Sequence, residues 1–209
     1  MAHYDLSHLN QPDSQATIGP IQDDEALLLF ALIRVMRLRT ILEIGGLDGY
    51  SAANFLKAVG PEGLVFTCDA QPVRTLAANH RVITKDVRLL DAMDLDGVGL
   101  DLVFFDCHVY AAQMEMYMTL RRVGVIHEHT TIALHDTNLH PRPFVTWAYP
   151  VEAENIGFVH QPVERKMVSD FKRMGYDAVC FHTRMDCHDE KLPFRHGLTI
   201  MKRFVPLAT

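Results

Sequence analysis

The hydrophobic pattern along the chain predicts alternating strands and helices. Short, continuously apolar strand segments recur at 40–44, 64–68, 81–84, 100–105, 130–135, 177–183 and 198–204. Apolar residues at helical spacing separate the first five of them, at 50–59, 71–80, 86–94 and 111–123. Strands that are apolar throughout and alternate with helices are typical of a parallel sheet that is covered by helices on both faces.

The two ends of the chain complete this pattern. Asp23 or Asp24 is placed to cap a first helix, and a helix near 162–174 is ended by Gly175. Only the loop 184–196 joins the last two strands, so we predict that they are antiparallel. The predicted fold class is α/β: a doubly wound, mostly parallel seven-stranded sheet with an antiparallel last strand.

Length and composition indicate one globular domain. The chain has 209 residues, of which 48% are hydrophobic and 22% charged, which argues against disorder and fibrous repeats. Residues 1–21 are polar and irregular and predict an N-terminal arm, and residues 22–209 form the predicted domain. The longest apolar run, Ala26–Ile33, is too short for a membrane helix, and the first residues do not resemble a signal peptide.

Charge and cysteine content narrow the partners and the location. The formal net charge is −6 and basic residues do not cluster, which disfavours a nucleic-acid partner. The four cysteines are widely separated, without a C-x-x-C pair, and indicate reduced thiols in a cytoplasmic protein. They are Cys68, Cys107, Cys180 and Cys187.

A glycine-rich turn follows the first strand and is the main candidate for ligand binding. In an open α/β sheet, ligands bind beyond the carboxyl ends of the strands, where the strand order reverses. A dinucleotide fingerprint that began at Gly45 would place glycines where Leu47 and Tyr50 stand, and no Gly-Lys-Ser/Thr follows for a P-loop. A nicotinamide dehydrogenase is therefore disfavoured, and another nucleoside ligand is indicated.

The pattern Glu-x-Gly-x-x-x-Gly-x-Ser, from Glu43 to Ser51, resembles the first motif of class I S-adenosylmethionine-dependent methyltransferases. It is most similar to that of catechol-type and natural-product tailoring O-methyltransferases. The resemblance covers about residues 22–204 and implies a Rossmann-like fold with S-adenosylmethionine as the cofactor. In that family the acid contacts the cofactor's methionyl amino group, directly or through water, and the glycines pass beneath its sugar and amino acid. The positions that inherit these roles, including two that would line the methionyl end, are Glu43, Gly45, Gly46, Gly49, Tyr50 and Ser51.

Acidic residues at the ends of the second and third strands extend this cofactor site. Asp69, followed by Ala70, is placed to accept hydrogen bonds from both ribose hydroxyls of a nucleoside. By resemblance, Asp86 with Val87 beside it would contact adenine. Glu43 interrupts an apolar strand, and a carboxylate buried there costs several kcal/mol unless it is paired.

A second cluster of acids and histidines follows the fourth and fifth strands. Asp106 and His108 end one strand, and His135 and Asp136 end the next, so they would lie across one opening. Oxygen ligands from Asp106, Asp136 and Asn138 would suit Mg²⁺ or Ca²⁺, whereas the histidines would suit a transition metal.

The resemblance leaves the metal open. Metal-dependent O-methyltransferases place Asp-Asp or Asp-Asn after the fifth strand, whereas this chain has Asp-Thr-Asn preceded by His135. A metal-free alternative makes His108 or His135 a general base that Asp106 or Asp136 orients. Asp106 would also border the cofactor.

These observations predict a methyltransferase that acts on a small-molecule acceptor, at a hydroxyl, with a divalent cation or a histidine base. Methylation of nitrogen would need little change in the same residues. Other classes stay open: a non-catalytic nucleoside-binding module, or a cysteine hydrolase that uses Cys107, although no nucleophile elbow surrounds that residue. A homodimer is compatible with the sequence.

Overall fold

The computed structural model describes residues 21, 23–137, 163–181 and 197–203. The helices are α1 (Asp23–Met36), α2 (Tyr50–Val59), α3 (Tyr110–Arg122) and α4 (Val163–Arg173). The strands are β1 (Thr40–Ile44), β2 (Leu64–Asp69), β3 (His80–Thr84), β4 (Leu102–Phe105), β5 (Thr131–Leu134), β6 (Tyr176–Phe181) and β7 (Leu198–Arg203).

The strands form one seven-stranded sheet in the order β3-β2-β1-β4-β5-β7-β6. Neighbouring strands are parallel except that β7 runs antiparallel to both β5 and β6. The predicted fold class, including the antiparallel last strand, is confirmed. The strand order reverses between β1 and β4, so the most favourable ligand site lies beyond their carboxyl ends.

Two hydrophobic clusters cover the two faces of the sheet. On one face, Phe171 of α4 packs edge-on against Tyr117 of α3, with ring centroids 4.7 Å apart, and contacts Phe105 of β4. On the other face, Phe55 of α2 packs against Phe104 of β4 at 5.3 Å. Because consecutive residues of β4 point to opposite faces and both are fully buried, the strand is apolar throughout, as its sequence predicted.

Two predicted helices are absent, and local hydrogen bonding explains both corrections. Segment 71–80 is irregular up to the start of β3. Pro72 disfavours helical geometry at the residue before it. The His80 side chain also accepts a hydrogen bond from the Leu76 N–H group. Segment 86–94 contains only a 3₁₀ turn, Val87–Leu89. Beyond that turn, the Asp91 side chain binds the backbone N–H groups of the following residues and competes with a helix.

Some predictions fall outside the described residues. Asn138 and the proposed arm at 1–21, apart from residue 21, lie there. Within the described part of the chain, no helix combines the length and the apolar character needed to cross a membrane.

Candidate functional site

A cavity of about 490 Å³ opens at the carboxyl ends of β1, β2, β3 and β4, where the strand order reverses. This volume is within the usual range for small-molecule sites. The predicted site residues that line it are Gly45, Asp69, Ala70, Asp86, Val87, Asp106 and His108. Five predicted cofactor residues are not among its lining residues: Glu43, Gly46, Gly49, Tyr50 and Ser51.

Gly45 and Leu47 of the glycine turn line the cavity, and the turn is too closely packed for a side chain at Gly45 or Gly46. Gly45 has φ +92°, and a Cβ atom on it would lie 2.6 Å from the backbone oxygen of Asp106. A Cβ on Gly46 would lie 2.3 Å from the Thr67 side chain. Gly49 has φ +80° at the start of α2, a conformation that favours glycine. The turn therefore passes directly between β2 and the end of β4.

Asp69 connects the end of β2 to this turn. Its Oδ2 accepts hydrogen bonds from the backbone N–H groups of Gly46 at 2.8 Å and Leu47 at 3.1 Å. Its Oδ1 accepts from the Gln71 N–H at 2.8 Å. A carboxylate oxygen has more than one acceptor site, so these bonds leave capacity for hydroxyl donors in the cavity. The ribose role of Asp69 stays a prediction, to which the structure adds a second role in holding the turn.

Glu43 lies behind the turn and is fully buried. It accepts hydrogen bonds from the Ser51 hydroxyl and, at 2.7 Å, from the Thr67 hydroxyl. Thr67 in turn lies 2.9 Å from Nε2 of His80, whose Nδ1 accepts from the backbone, so that Nε2 is the donor. In this arrangement Glu43 does not reach the cavity. Its observed partners connect β1, β2, β3 and α2. The contact with the methionyl amino group that the resemblance implies, directly or through water, stays a prediction.

Burial makes the charged form of Glu43 costly and raises its pKa from 4.5 to about 8, although the hydrogen bonds from Ser51 and Thr67 oppose this shift. The folded protein therefore holds this proton more tightly than the unfolded chain does. We expect the free energy of unfolding to fall by about 1.4 kcal/mol per pH unit from this group as pH rises from about 4.5 to about 8.

The Glu43→Gln variant removes the titration while keeping the size of the side chain. Denaturant unfolding at pH 5, 7 and 9 should therefore show a smaller loss of stability in Glu43→Gln than in the wild type. Glu128→Gln changes an exposed acid and should keep the wild-type dependence on pH. An identical pH profile in all three proteins would contradict the assignment.

Asp106, His108, His135 and Asp136 form one cluster beside the cavity. Nδ1 of His135 lies 2.9 Å from Oδ1 of Asp106. Nε2 of His108 lies 3.6 Å from Oδ1 of Asp106 and 3.5 Å from Oδ2 of Asp136. His135 and Asp136 are fully buried and are not among the residues that line the cavity. Of the two acids expected to lie across one opening, only Asp106 lines the cavity, and Asp136 is buried beside it.

The backbone at this cluster is strained. His108 has φ +57° and Asp136 has φ +53°, in the left-handed region that non-glycine residues rarely adopt. Such residues persist where the surrounding structure holds them, and they concentrate at functional sites. The strain therefore independently marks the ends of β4 and β5 as a candidate site.

The acids and imidazoles of the cluster shift one another's pKa values. Burial lowers the pKa of His108, but the nearby carboxylates of Glu164, Asp136 and Asp106 outweigh it and raise this pKa to about 9. Burial also opposes the charge of His135, yet Asp136 and Asp106 raise its pKa well above the usual value. Burial raises the pKa of Asp106, which the two histidines partly offset. The cluster is thus a compact set of mutually compensating charges.

Two acids that were not predicted from the sequence also contact the cluster. Oε1 of Glu164, in the first turn of α4, lies 3.1 Å from Nδ1 of His108. Oε2 of Glu25, in α1, lies 3.2 Å from Nε2 of His135. Each acid is distant in sequence from its histidine, so no motif could reveal the contact. Glu25 follows Asp23 and Asp24 at the start of α1, so its sequence context gave no sign that it is buried.

Cys107 lines the cavity, but its environment does not suit a nucleophile. Burial raises the pKa of its thiol, and the nearby carboxylates of Glu164 and Asp106 raise it further. A reactive cysteine needs the opposite, a lowered pKa that yields the thiolate. The geometry therefore gives no support to the cysteine hydrolase alternative.

Comparison with known proteins supports the fold. No family model matches the sequence, and a search of curated proteins found no match. Among solved structures, a methyltransferase of Podospora anserina bound to S-adenosylhomocysteine is similar with a TM-score of 0.60 and 14% identity, over 90% of this chain and 80% of that one. The chain has the fold of that methyltransferase.

Two bacterial structures agree. An O-methyltransferase of Bacillus cereus in complex with S-adenosylhomocysteine has a TM-score of 0.54 and 16% identity, over 90% of this chain and 84% of that one. The O-methyltransferase TomG of Streptomyces achromogenes, involved in tomaymycin synthesis and bound to S-adenosylmethionine, has a TM-score of 0.53 and 17% identity. That match covers 89% of this chain and 82% of TomG.

Proposed function

We propose that the protein is an S-adenosylmethionine-dependent methyltransferase that methylates a hydroxyl group of a small-molecule acceptor. The observation that carries this proposal is one cavity at the reversal of strand order. It is bordered by the Gly45 turn, by the Asp69 carboxylate and by the Asp106–His108 end of β4. The similar structures that hold this cofactor or its product support the choice of ligand.

The cavity residues divide naturally between the parts of the cofactor. Asp69 would accept hydrogen bonds from the ribose hydroxyls, and the Gly45 turn would lie beneath the sugar and amino acid. The Asp86 carboxylate is already bound by Arg88, with Oδ2 and Nη2 2.6 Å apart. Val87 therefore offers the apolar contact for adenine, while Asp86 would act through its backbone.

The acid and histidine cluster fits a divalent cation. Asp106, His108 and Asp136 each offer one ligand atom, and these atoms lie within 4.8 Å of one another. Two carboxylate oxygens and one imidazole nitrogen suit a first-row transition ion and also Mg²⁺. A bound cation would lower the pKa of the acceptor hydroxyl. In this assignment His108 joins the ligand set expected from the sequence, and Asn138 lies outside the described residues.

The transfer itself requires positioning above all. The acceptor oxygen would form a bond to the methyl carbon as the bond from that carbon to the sulfonium sulfur breaks, and the hydroxyl proton would pass to water or to a base at the site. His108 and Asp106 line the cavity. The acceptor and the methyl group would meet beside them. Without a cation, only the neutral imidazole of His108 or His135 could receive the proton, and for His108 that form predominates above a pH of about 9. A small-molecule acceptor, the absence of a nucleic-acid partner and a cytoplasmic location belong to the same proposal.

Calorimetric titration with S-adenosylhomocysteine, with and without Mg²⁺, tests the proposed function. We expect saturable binding by the wild-type protein in both conditions, because the residues assigned to the nucleoside differ from those assigned to the cation. Absence of binding by the folded wild-type protein would refute the methyltransferase proposal. A nucleoside-binding module without activity would bind equally well but would show no transfer to any acceptor hydroxyl.

The cation assignment makes a separate prediction. Asp136→Asn removes a charged oxygen ligand, and asparagine tolerates the positive φ of this position. We expect the affinity for Mn²⁺, titrated alone, to fall by at least about tenfold, since even outer-shell partners of metal sites contribute that much. Asp96→Asn is a matched control, because Asp96 also has a positive φ of +53° but is exposed. Equal Mn²⁺ affinity in both variants would contradict the cation site.

A further inference from the structure

Glu164 is a buried acid whose carboxylate reaches from α4 to the end of β4. It stands in the first turn of α4 and is fully buried. Its Oε1 accepts a hydrogen bond from the backbone N–H of His108 at 3.1 Å and lies 3.1 Å from Nδ1 of the same residue. One carboxylate oxygen therefore contacts both the backbone and the ring of His108.

Neighbouring residues hold Glu164 in this place. The Gln113 amide of α3 donates to Oε1 of Glu164 at 3.1 Å. The same amide lies 3.3 Å from the Met167 sulfur, one turn further along α4. Because Gln113 and Glu164 are both fully buried, the position of the carboxylate is determined by the contact between two helices. A carboxylate that is held this firmly can orient the ring it contacts.

We propose that Glu164 is the positioning residue of His108. Its carboxylate contacts Nδ1 and holds the proton of the neutral ring there, so that Nε2 faces Asp106 and Asp136. In a histidine ring, the hydrogen bond made by one nitrogen decides which nitrogen is left with a lone pair. The observed distances place Glu164 at Nδ1 and the two aspartates at Nε2. What Nε2 does there, as cation ligand or as base, rests on the proposed function, whereas the orientation of the ring does not.

The backbone contact explains why this turn needs a hydrogen-bond acceptor at position 164. His108 has φ +57°, and its backbone N–H group donates to the Glu164 carboxylate. A buried N–H without a partner costs about 1–3 kcal/mol, so the carboxylate stabilises the strained turn and the ring together. The two helices thereby set the geometry of a residue that lies at the mouth of the cavity.

The position of the proton on the neutral His108 ring tests this arrangement directly. Long-range ¹H–¹⁵N spectra, recorded from pH 6 to 10, show which nitrogen of each histidine keeps its proton, and a His108→Gln sample assigns the signal. We expect Nδ1 to hold the proton in wild type. Glu164→Gln should keep this tautomer, because its amide oxygen would take the place of Oε1 beside the His108 N–H group and Nδ1. Glu164→Leu removes the acceptor at similar size, and more than half of the neutral rings should then carry the proton on Nε2.

Asp170→Asn is the matched control on the same helix. Asp170 also connects α4 to α3, by accepting a hydrogen bond from the Tyr110 hydroxyl at 2.5 Å, but it does not contact His108. This variant should weaken the helix contact and leave the tautomer of His108 as in the wild type. A tautomer change in Asp170→Asn as large as in Glu164→Leu would overturn the proposal, since loosened helices alone would then explain it.

Two further results would also overturn the proposal: a wild-type ring that carries its proton on Nε2, or a Glu164→Leu ring that keeps it on Nδ1. Should Glu164→Leu not fold, the wild-type and Glu164→Gln spectra still decide, because both must show the Nδ1 proton. Binding of S-adenosylhomocysteine is measured on the same samples. Its absence in the wild type refutes the proposed function, while the tautomer separately decides the role of Glu164.

Discussion

Replacing Asp69 by alanine is expected to weaken binding of S-adenosylhomocysteine by about 100-fold or more. Hydrogen bonds to a charged group contribute about 1.5–3 kcal/mol each, and every 1.4 kcal/mol corresponds to about tenfold in affinity. Asp69→Ala removes the predicted bonds to the ribose hydroxyls. It also removes the observed bonds to the N–H groups of Gly46 and Leu47, which hold the turn against β2. Calorimetric titration measures the change.

Asp101→Ala provides a matched control at the opposite end of the sheet. Asp101 also accepts backbone hydrogen bonds, two where Asp69 accepts three, from the N–H groups of Arg39 at 2.7 Å and Thr40 at 3.0 Å. Asp101→Ala should lower the free energy of unfolding about as much as Asp69→Ala does. It should leave the affinity for S-adenosylhomocysteine within about twofold of the wild type. If Asp69→Ala bound the ligand as tightly as Asp101→Ala does, Asp69 would have no role in a nucleoside site.

Gly45→Ala is expected to lower the free energy of unfolding by about 2–5 kcal/mol. The positive φ of +92° costs a residue with a side chain about 1–2 kcal/mol. The added Cβ would also lie 2.6 Å from the backbone oxygen of Asp106, which cannot move aside as a flexible side chain could. Overpacking of this kind typically adds about 1–3 kcal/mol. Denaturant unfolding at constant pH measures the loss.

Gly124→Ala separates the two causes. Gly124 also has a positive φ, +81°, but no atom of the described chain lies within 4 Å of a Cβ placed there. Its replacement should therefore cost only the backbone contribution, about 1–2 kcal/mol. A loss in Gly45→Ala no larger than in Gly124→Ala would show that the turn can move away from β4. The turn at Gly45 would then be less closely packed against the end of β4 than the structure indicates.

The elements that the sequence predicted well are those with a local signal. The strands and α2 follow from runs of apolar residues, and the glycine turn follows from residues that only a tight bend requires. The helices predicted at 71–80 and 86–94 were wrong because the side chains of His80 and Asp91 bind the local backbone. Apolar spacing does not record that competition.

Candidate residues differ in the same way. Asp69, Asp106 and His108 end strands of a parallel sheet, so the predicted topology was enough to bring them to one cavity. Glu43 was correctly recognised as unusual within an apolar strand, but its side chain turns to Ser51 and Thr67 instead of to the cavity. Which face of the strand a residue occupies relative to a ligand depends on how the strand is placed in the sheet.

The sequence by itself determined the α/β sheet, the antiparallel last strand and the strand ends that carry the acids, because apolar runs and turn residues act over a few neighbours. Only the tertiary structure decided that Glu164 and Glu25 contact the histidines of the cluster. Those contacts join helices to strands that are far apart in the chain, and they form only when the two faces of the sheet are covered.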